Sequence, residues 1–387
     1  MADGGNVELA KGKIVGCKWQ VMKKLGEGGC GAVYLVKSVD SQDTYAAMKA
    51  ESNNATGGCV LKLEVAILRK LSRKPHVTQL FCSARNSQFS YMVMTLLGDS
   101  LNKISRRLGR IFSVSTQVRI GANILFCLKQ IHDIGYIHRD LKPANIALGF
   151  TGTAESRFFH ILDFGLARQY AVTSEDEPER YKLRRPRERA LFRGTTRYCS
   201  VGMHDRAEQG RVDDLWSMLY LLAELRGPLP WSSFADKKVV GEQKRLYSDD
   251  ALLQNSPTEM LEIAQYLRTL TYYNRPDYLK IYNLFLSIMD KGKFKWSDPF
   301  DWELLDKKKE KRSLSKALTP TRSVSKEPPS RAKTPTRSKP VASKEAEMAS
   351  RMDDAVEQKT VGTKEHVGND TILPFKIEDF TTNPIGF

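Results

Sequence analysis

Residues 137–148 read IHRDLKPANIAL. An Asp and an Asn stand five positions apart, with a Lys between them and apolar residues on both sides, in what must be a tight loop. A solvated turn is one account, since Asp, Asn and Pro are ordinary turn formers. The other is phosphoryl transfer, in which an Asp takes a hydroxyl proton, a Lys touches the moving phosphate and an Asn holds magnesium. The whole H-R-D-L-x-x-x-N string is matched, which favours the chemical account. It needs partners elsewhere in the chain.

The partners are present in order. LGEGGCGAVYLV (25–36) places Gly26, Gly28 and Gly31 in G-x-G-x-x-G spacing, with Val33 two residues on. Glycines let backbone amides approach phosphates with no side chain in the way. A dinucleotide site would need a helix straight after them; the β-like run here predicts a hairpin covering a nucleotide. Lys49 closes YAAMK, where an exposed strand lysine is the plainer reading. Glu64 changes that reading. On a helical wheel it lies centrally on the face of Val60, Leu61, Ile67, Leu68 and Leu71, with Lys62 and Arg69 on the far side. A carboxylate facing a core is costly unless paired, so Glu64 requires a buried cation, and Lys49 is the candidate. Such a pair holds the α- and β-phosphates of a nucleotide. ILDFGLAR (161–168) supplies Asp163 after an apolar run. An Asp-Phe-Gly alone is an ordinary turn; following Gly loop, Lys49, Glu64, Asp140 and Asn145, it completes a specific set.

Around this set the chain changes character twice. From Trp19 to about Val93 short β-rich runs predominate, interrupted by one predicted helix, VLKLEVAILRKL (60–71). Beyond residue 100 the pattern is mainly helical, as in VRIGANILFCLKQIH (118–132). Residues 303–374 contain no Phe, Trp or Tyr and cannot bury enough apolar area to offset their ordering entropy. The predicted organisation is a flexible stretch 1–18, a small β-rich lobe 19–96, a larger helical lobe 97–302 and a disordered basic tail 303–387. The formal net charge of +16 sits mostly in residues 307–351, where fourteen Lys or Arg face four Glu. The tail repeats TPTRS at 319–323 and 334–338. Thr319 and Thr334 are expected targets of a proline-directed kinase, each phosphate adding about −1.5 to −2 charges. No apolar run approaches a membrane span, and the start lacks an apolar signal core, so a cytoplasmic protein, also admitted to the nucleus, is expected. Six scattered cysteines without CxxC pairing read as reduced thiols.

The body resembles a eukaryotic protein kinase of the casein kinase 1 group, and within it the tau-tubulin kinases. VLKLEVAILRKL, HRDLKPAN, LDFGLARQY, FRGTTRY, DDLWSMLYLLAEL and SDPFDWE carry the likeness, over roughly residues 19–302. The resemblance implies an α+β, two-lobed fold that uses ATP and Mg2+ to phosphorylate Ser or Thr in proteins. It implies a Lys49–Glu64 ion pair, Asp140 orienting or deprotonating the substrate hydroxyl, and Lys142 neutralising the γ-phosphate. Asn145 and Asp163 would bind the metal. Leu25, Gly26, Gly28, Gly31, Val33, Ala47, Lys49, Met94 as gatekeeper and Leu97 in the 95–97 hinge would line the ATP site. Arg139 and Asp214 would brace the catalytic loop. Arg197 matches an anion-binding position beside the substrate, with Lys244 and Arg245 in a region that is basic in the group; acidic or phosphorylated sites are the expected targets.

Three departures stand out. Cys30 tips the glycine loop where an aromatic residue is usual, Ser200-Val201-Gly202 replaces Ser-Ile-Asn, and RRPRER (184–189) makes the activation segment unusually basic. One further departure is Leu246, just before Tyr247, where a basic residue would be expected in casein kinase 1 proper. Among partners, protein substrates come first, and tubulin could be held through the tail. No membrane partner is expected, nucleic acid is disfavoured, and the chain is expected to be a monomer. A catalytically weak scaffold that binds microtubules or nucleic acid through the tail is the rival reading. It leaves Lys49, Asp140, Asn145 and Asp163 without a purpose.

Overall fold

In a computed structural model, residues 7–28, 31–41, 43–54, 60–109, 111–173, 177, 180–306 and 374–387 are described. Residues up to Trp302 together with those from 368 onward form one compact unit; of the second, 303–367, only 303–306 are described. The calls on Cys30, on the TPTRS repeat, on Thr319 and Thr334 and on disorder across 307–373 lie outside the described residues.

The small lobe is an antiparallel sheet of six strands in the order β1-β2-β3-β4-β6-β5: β1 (Ile14–Val15), β2 (Trp19–Gly28), β3 (Gly31–Ser38), β4 (Tyr45–Ser52), β5 (Leu80–Arg85) and β6 (Phe89–Thr95). Strand alternation sorts its residues. Ala32, Tyr34 and Val36 of β3 join Trp19, Val21, Met48 and Tyr91 in one core. Val33 of β3 and Ala47 and Lys49 of β4 line the cleft. Helix α1 (Leu61–Leu71) buries Leu61, Glu64, Val65, Ile67, Leu68 and Leu71, the predicted face. Its first amides are held by a neighbour: Val60 N and Leu61 N donate to the Glu51 carboxylate at 3.2 and 2.9 Å.

The large lobe begins with β7 (Leu97–Ser100), which pairs with β9 (Ile146–Gly149), itself paired with β10 (Phe159–Ile161). Helix α2 (Leu101–Leu108) follows β7. Helix α3 (Val114–Asp133) is buried almost throughout and forms the axis of the lobe. The two-residue strands β8 (Tyr136–Ile137) and β11 (Arg168–Gln169) pair beside it, and β12 (Ala171–Thr173) pairs with β13 (Tyr181–Leu183). Helices α4 (Val201–His204), α5 (Arg211–Leu225), α6 (Lys237–Leu246), α7 (Asp249–Leu253), α8 (Thr258–Arg268) and α9 (Tyr278–Lys291) complete it. At Gly121 of α3 an added Cβ would meet Phe285 of α9 at 2.9 Å and Leu222 of α5 at 3.0 Å, so glycine sets how closely the three helices approach.

Both ends depart from expectation. Residues 7–18 are not a loose leader: β1 adds an edge strand to β2, and Leu9 and Val15 enter the sheet core. The Tyr34 hydroxyl donates to the Val7 carbonyl (2.5 Å) and accepts from Leu9 N (3.1 Å). Residues 374–387 are not tail-like either. Phe375 and Phe380 are buried because their apolar area finds a groove prepared by α3 and α9, and Ile385 is buried against Ile137, Tyr170 and Ala171. The expected boundary at 303 coincides with the edge of the compact unit at Trp302, although the helix over 301–306 runs across it. Among the described residues no helix is long and apolar enough to cross a membrane, and Cys17, Cys82, Cys127 and Cys199 are free thiols.

Candidate active site

The catalytic loop is pinned from beneath. Asp214, near the start of α5 and fully buried, accepts hydrogen bonds from the backbone N of His138 (2.7 Å) and Arg139 (2.8 Å), and contacts His132 Nε2 at 3.0 Å. Burial alone would raise this carboxyl; the hydrogen bonds and charge of His132 and His138 hold it below the usual carboxylate range. Arg139 takes φ +68°, a left-handed conformation costly for a side chain of its size, and its Nε donates to Leu166 O at 2.7 Å. The expected bracing role of Arg139 and Asp214 is therefore visible as a network that fixes a strained turn.

From that turn Asp140 faces the cleft. Its carboxylate receives Lys142 Nζ at 2.6 Å and the Thr195 hydroxyl at 2.7 Å. Asn145, in a 3-10 turn made by Pro143–Asn145, donates its amide to Asp140 O (3.0 Å) and Oδ2 (3.3 Å), which leaves its carbonyl oxygen for a cation. Across the cleft Lys49 and Glu64 form the predicted buried ion pair, and Lys49 Nζ lies 3.4 Å from Asp163 Oδ1. Asp163 also has φ +65°, stabilised by Gly165 N donating to its carboxylate. Burial would raise Asp163; the charges of Lys49 and His138 and the hydrogen bonds from Gly165 N and Lys49 together outweigh it and lower it.

Burial pushes the Glu64 carboxyl up to about 7, against the opposing pull of Lys49. The folded value exceeds the unfolded one, so this group stabilises the fold most at acid pH and loses that contribution as pH rises through 7. For activity the sign is reversed, because Lys49 is oriented only by the ionised carboxylate. We expect kcat/KM for ATP to fall as pH drops below about 7, a limb that should vanish in Glu64→Gln. Superimposable profiles would contradict a Glu64 origin.

One cleft of about 670 Å³ is lined by Leu25, Gly26, Gly28, Gly31, Val33, Ala47, Lys49, Glu64, Met94, Leu97, Asp140, Lys142, Asn145 and Asp163. Every nucleotide, catalytic and metal position predicted from the sequence is thus brought together. Ala147 and Leu162 are among the further lining residues that were not anticipated. A Cβ at Gly26 or Gly28 would meet no protein atom within 4 Å, so the bare backbone there leaves room for a ligand rather than for packing. Gly31 is different: at φ +100° a Cβ would strike the Ala50 carbonyl at 2.3 Å. Among the described residues no cluster of three or more His, Cys, Asp or Glu could hold a metal unaided. Asp163 and Asn145 therefore fit a divalent cation that arrives with phosphate oxygens as its other ligands.

The activation segment contains groups that motif reading missed. Thr195 reaches the catalytic carboxylate, and Gly194 (φ +99°) lets the chain pass the Arg139 carbonyl, which a Cβ would meet at 2.4 Å. Glu208 accepts from Arg168 (3.0 Å) and Arg187 (2.5 Å), tying the start and the middle of the segment to one buried carboxylate. Ser200 caps α4 and donates to Asp213, so the Ser-Val-Gly departure keeps its anchoring serine.

The expected anion site is corrected in part. Lys244 is 3% exposed and donates to the carbonyls of Cys199 (2.5 Å) and Thr196 (2.8 Å), and burial lowers it to about 8. It pins the segment from within and offers nothing to a substrate. Arg245 pairs with Asp205, and Arg197 bonds Glu224 (3.0 Å) and Ser232 O (3.2 Å) while staying about one third exposed. Arg185, Arg189 and Arg193 are exposed and have no ionic partner among the described residues.

Comparison with known proteins agrees with this geometry. A family model, the protein kinase domain, matches residues 19–283. A Caenorhabditis elegans protein, provisionally named a serine/threonine-protein kinase, is 50% identical over 79% of this chain and 88% of its own length. A protein of the same organism named an inactive tau-tubulin kinase is 36% identical over 62% of this chain and 86% of its own. A Schizosaccharomyces pombe casein kinase I homologue is 32% identical, over 73% and 66%. With the ion pair, catalytic loop and metal positions in one cleft, the chain belongs to the protein kinases, as a serine/threonine kinase of the group that includes casein kinase 1 and the tau-tubulin kinases.

Proposed function

We propose that this kinase transfers the γ-phosphate of Mg-ATP to Ser or Thr in acidic or already phosphorylated stretches of protein. The observation that carries the reading is the position of Arg193. It precedes Gly194 and Thr195, and Thr195 is bonded to the catalytic carboxylate at 2.7 Å. Arg193 thus carries an exposed guanidinium two residues from the group that touches the catalytic carboxylate, Arg189 and Arg185 are exposed in the same segment, and such forks suit carboxylate and phosphate. Lys244 takes no part. Asp163 and Asn145 would hold the magnesium, Asp140 would accept the hydroxyl proton, and Lys142 would neutralise the moving phosphoryl group. The basic run at 307–351 suits an acidic surface such as tubulin tails, in keeping with a relative named for tubulin; the kinase acts as a monomer.

A peptide array read at two salt concentrations tests the preference. Acidic peptides should be phosphorylated on the order of tenfold faster than basic ones, one charge-assisted hydrogen bond's worth. The margin should shrink at high salt and in the Arg185→Ser/Arg189→Ser/Arg193→Ser variant. Equal rates at low salt, or a preference untouched by the triple change, would count against it.

A further inference from the structure

The segment PFKIEDFTTNPIGF (374–387) joins two distant parts of the large lobe. At one end Phe375 stacks on Phe126 of α3, ring centres 4.6 Å apart, with His76, Trp296 and Tyr282 at its edges. Phe380 stacks on Tyr282 of α9 at 4.2 Å, and both phenylalanines are 1% exposed. Between the ends the path is fixed by polar contacts. Buried Lys129, paired with Asp133, lies 2.7 Å from the Thr382 hydroxyl, and Arg275 donates to Thr382 O at 2.8 Å.

At the other end Ile385 enters a separate small core whose other buried members are Ile137, Tyr170 and Ala171, edged by Tyr181, Leu183 and Phe387. Ile137 ends β8 and leads into His138 and the catalytic loop. Ala171 belongs to β12, and Tyr181 and Leu183 to β13, at the head of the activation segment. Arg211 Nη1 donates to Phe387 O at 3.0 Å, and the Arg211 guanidinium lies over the Tyr170 ring at 4.8 Å. One of the four buried residues of this core therefore comes from the C-terminal segment, and the other three belong to the strand that enters the catalytic loop and to the head of the activation segment.

We propose that residues 374–387 form a positioning clamp. Phe375 and Phe380 seat the segment on α3 and α9, and Ile385 then braces the β12–β13 hairpin against the strand entering the catalytic loop. Ile385 acts through the hairpin and touches no reacting atom. The clamp supports phosphorylation, so losing it lowers activity, the opposite sign to a tail that blocks the cleft. It rests on the kinase activity and not on the acidic-substrate reading.

The test uses the full chain, Ile385→Ser in the full chain, and a variant ending at residue 373, each assayed on whichever peptide the full chain phosphorylates. Ile385→Ser leaves both phenylalanine anchors in place. It should lower kcat/KM for the peptide about tenfold while KM for ATP stays within about twofold. A synthetic 374–387 peptide should restore the truncated variant saturably, and the same peptide carrying Phe375→Ala and Phe380→Ala should not. Unchanged or higher peptide kcat/KM in Ile385→Ser would overturn the clamp, as would an equal loss in the peptide and ATP parameters. If the truncated variant does not fold, the Ile385→Ser result decides alone.

Discussion

Asp163→Asn is expected to reduce phosphoryl transfer by at least about 10³-fold in kcat while leaving the body folded. Asparagine tolerates the left-handed backbone at φ +65° and can still accept from Gly165 N. What it lacks is the charge that sits 3.4 Å from Lys49 and would neutralise a divalent cation. Lys49→Met should lose comparable activity by a different route. It strands Glu64 in the core, but that carboxyl is already pushed up by burial and can take up a proton. The stability loss should therefore stay below the roughly 3–5 kcal/mol of an unpaired buried charge. Urea unfolding beside single-turnover kinetics separates the two effects, and wild-type turnover in either variant would overturn the assigned roles.

Asp214→Ala should be the most destabilising single change near the site, by about 3–5 kcal/mol. Two backbone amides and His132 lose their buried acceptor together, and the Arg139 Nε bond to Leu166 O is left to hold Arg139 at φ +68°. Activity should fall with stability, because Asp140 is the next residue along that turn. Asp214→Asn keeps one acceptor oxygen but turns an amide N–H toward a backbone donor, so an intermediate loss is expected. An unfolding free energy for Asp214→Ala within about 1 kcal/mol of wild type would show that the loop is braced elsewhere.

The readable parts of the molecule are those whose chemistry is local. The catalytic loop is a contiguous string, and Glu64 betrays itself as a charge on an otherwise apolar helix face. The Lys49 partnership follows from that face by the cost of burying a lone carboxylate. Thr195 and Glu208 gave no such sign: a threonine and a glutamate in polar loops acquire their roles only when the chain brings Asp140, Arg168 and Arg187 to them. Lys244 misled for the opposite reason. It belongs to a polar-looking helix, and only the folded segment shows its amine turned onto two carbonyls. The terminal segment was unreadable because Phe375 and Phe380 stand five apart, fitting neither a strand nor a helix period, and their partners lie far back in the chain.

The most direct measurement is transfer of label from γ-labelled ATP to casein, followed by phospho-amino-acid analysis, beside an Asp140→Asn control whose folding has been checked. Label on serine and threonine that disappears in Asp140→Asn is the result expected from a cleft in which one carboxylate, fixed by Thr195, Lys142 and Asn145, receives the substrate hydroxyl. Equal label in the two proteins, or none in either, would contradict phosphoryl transfer at this site.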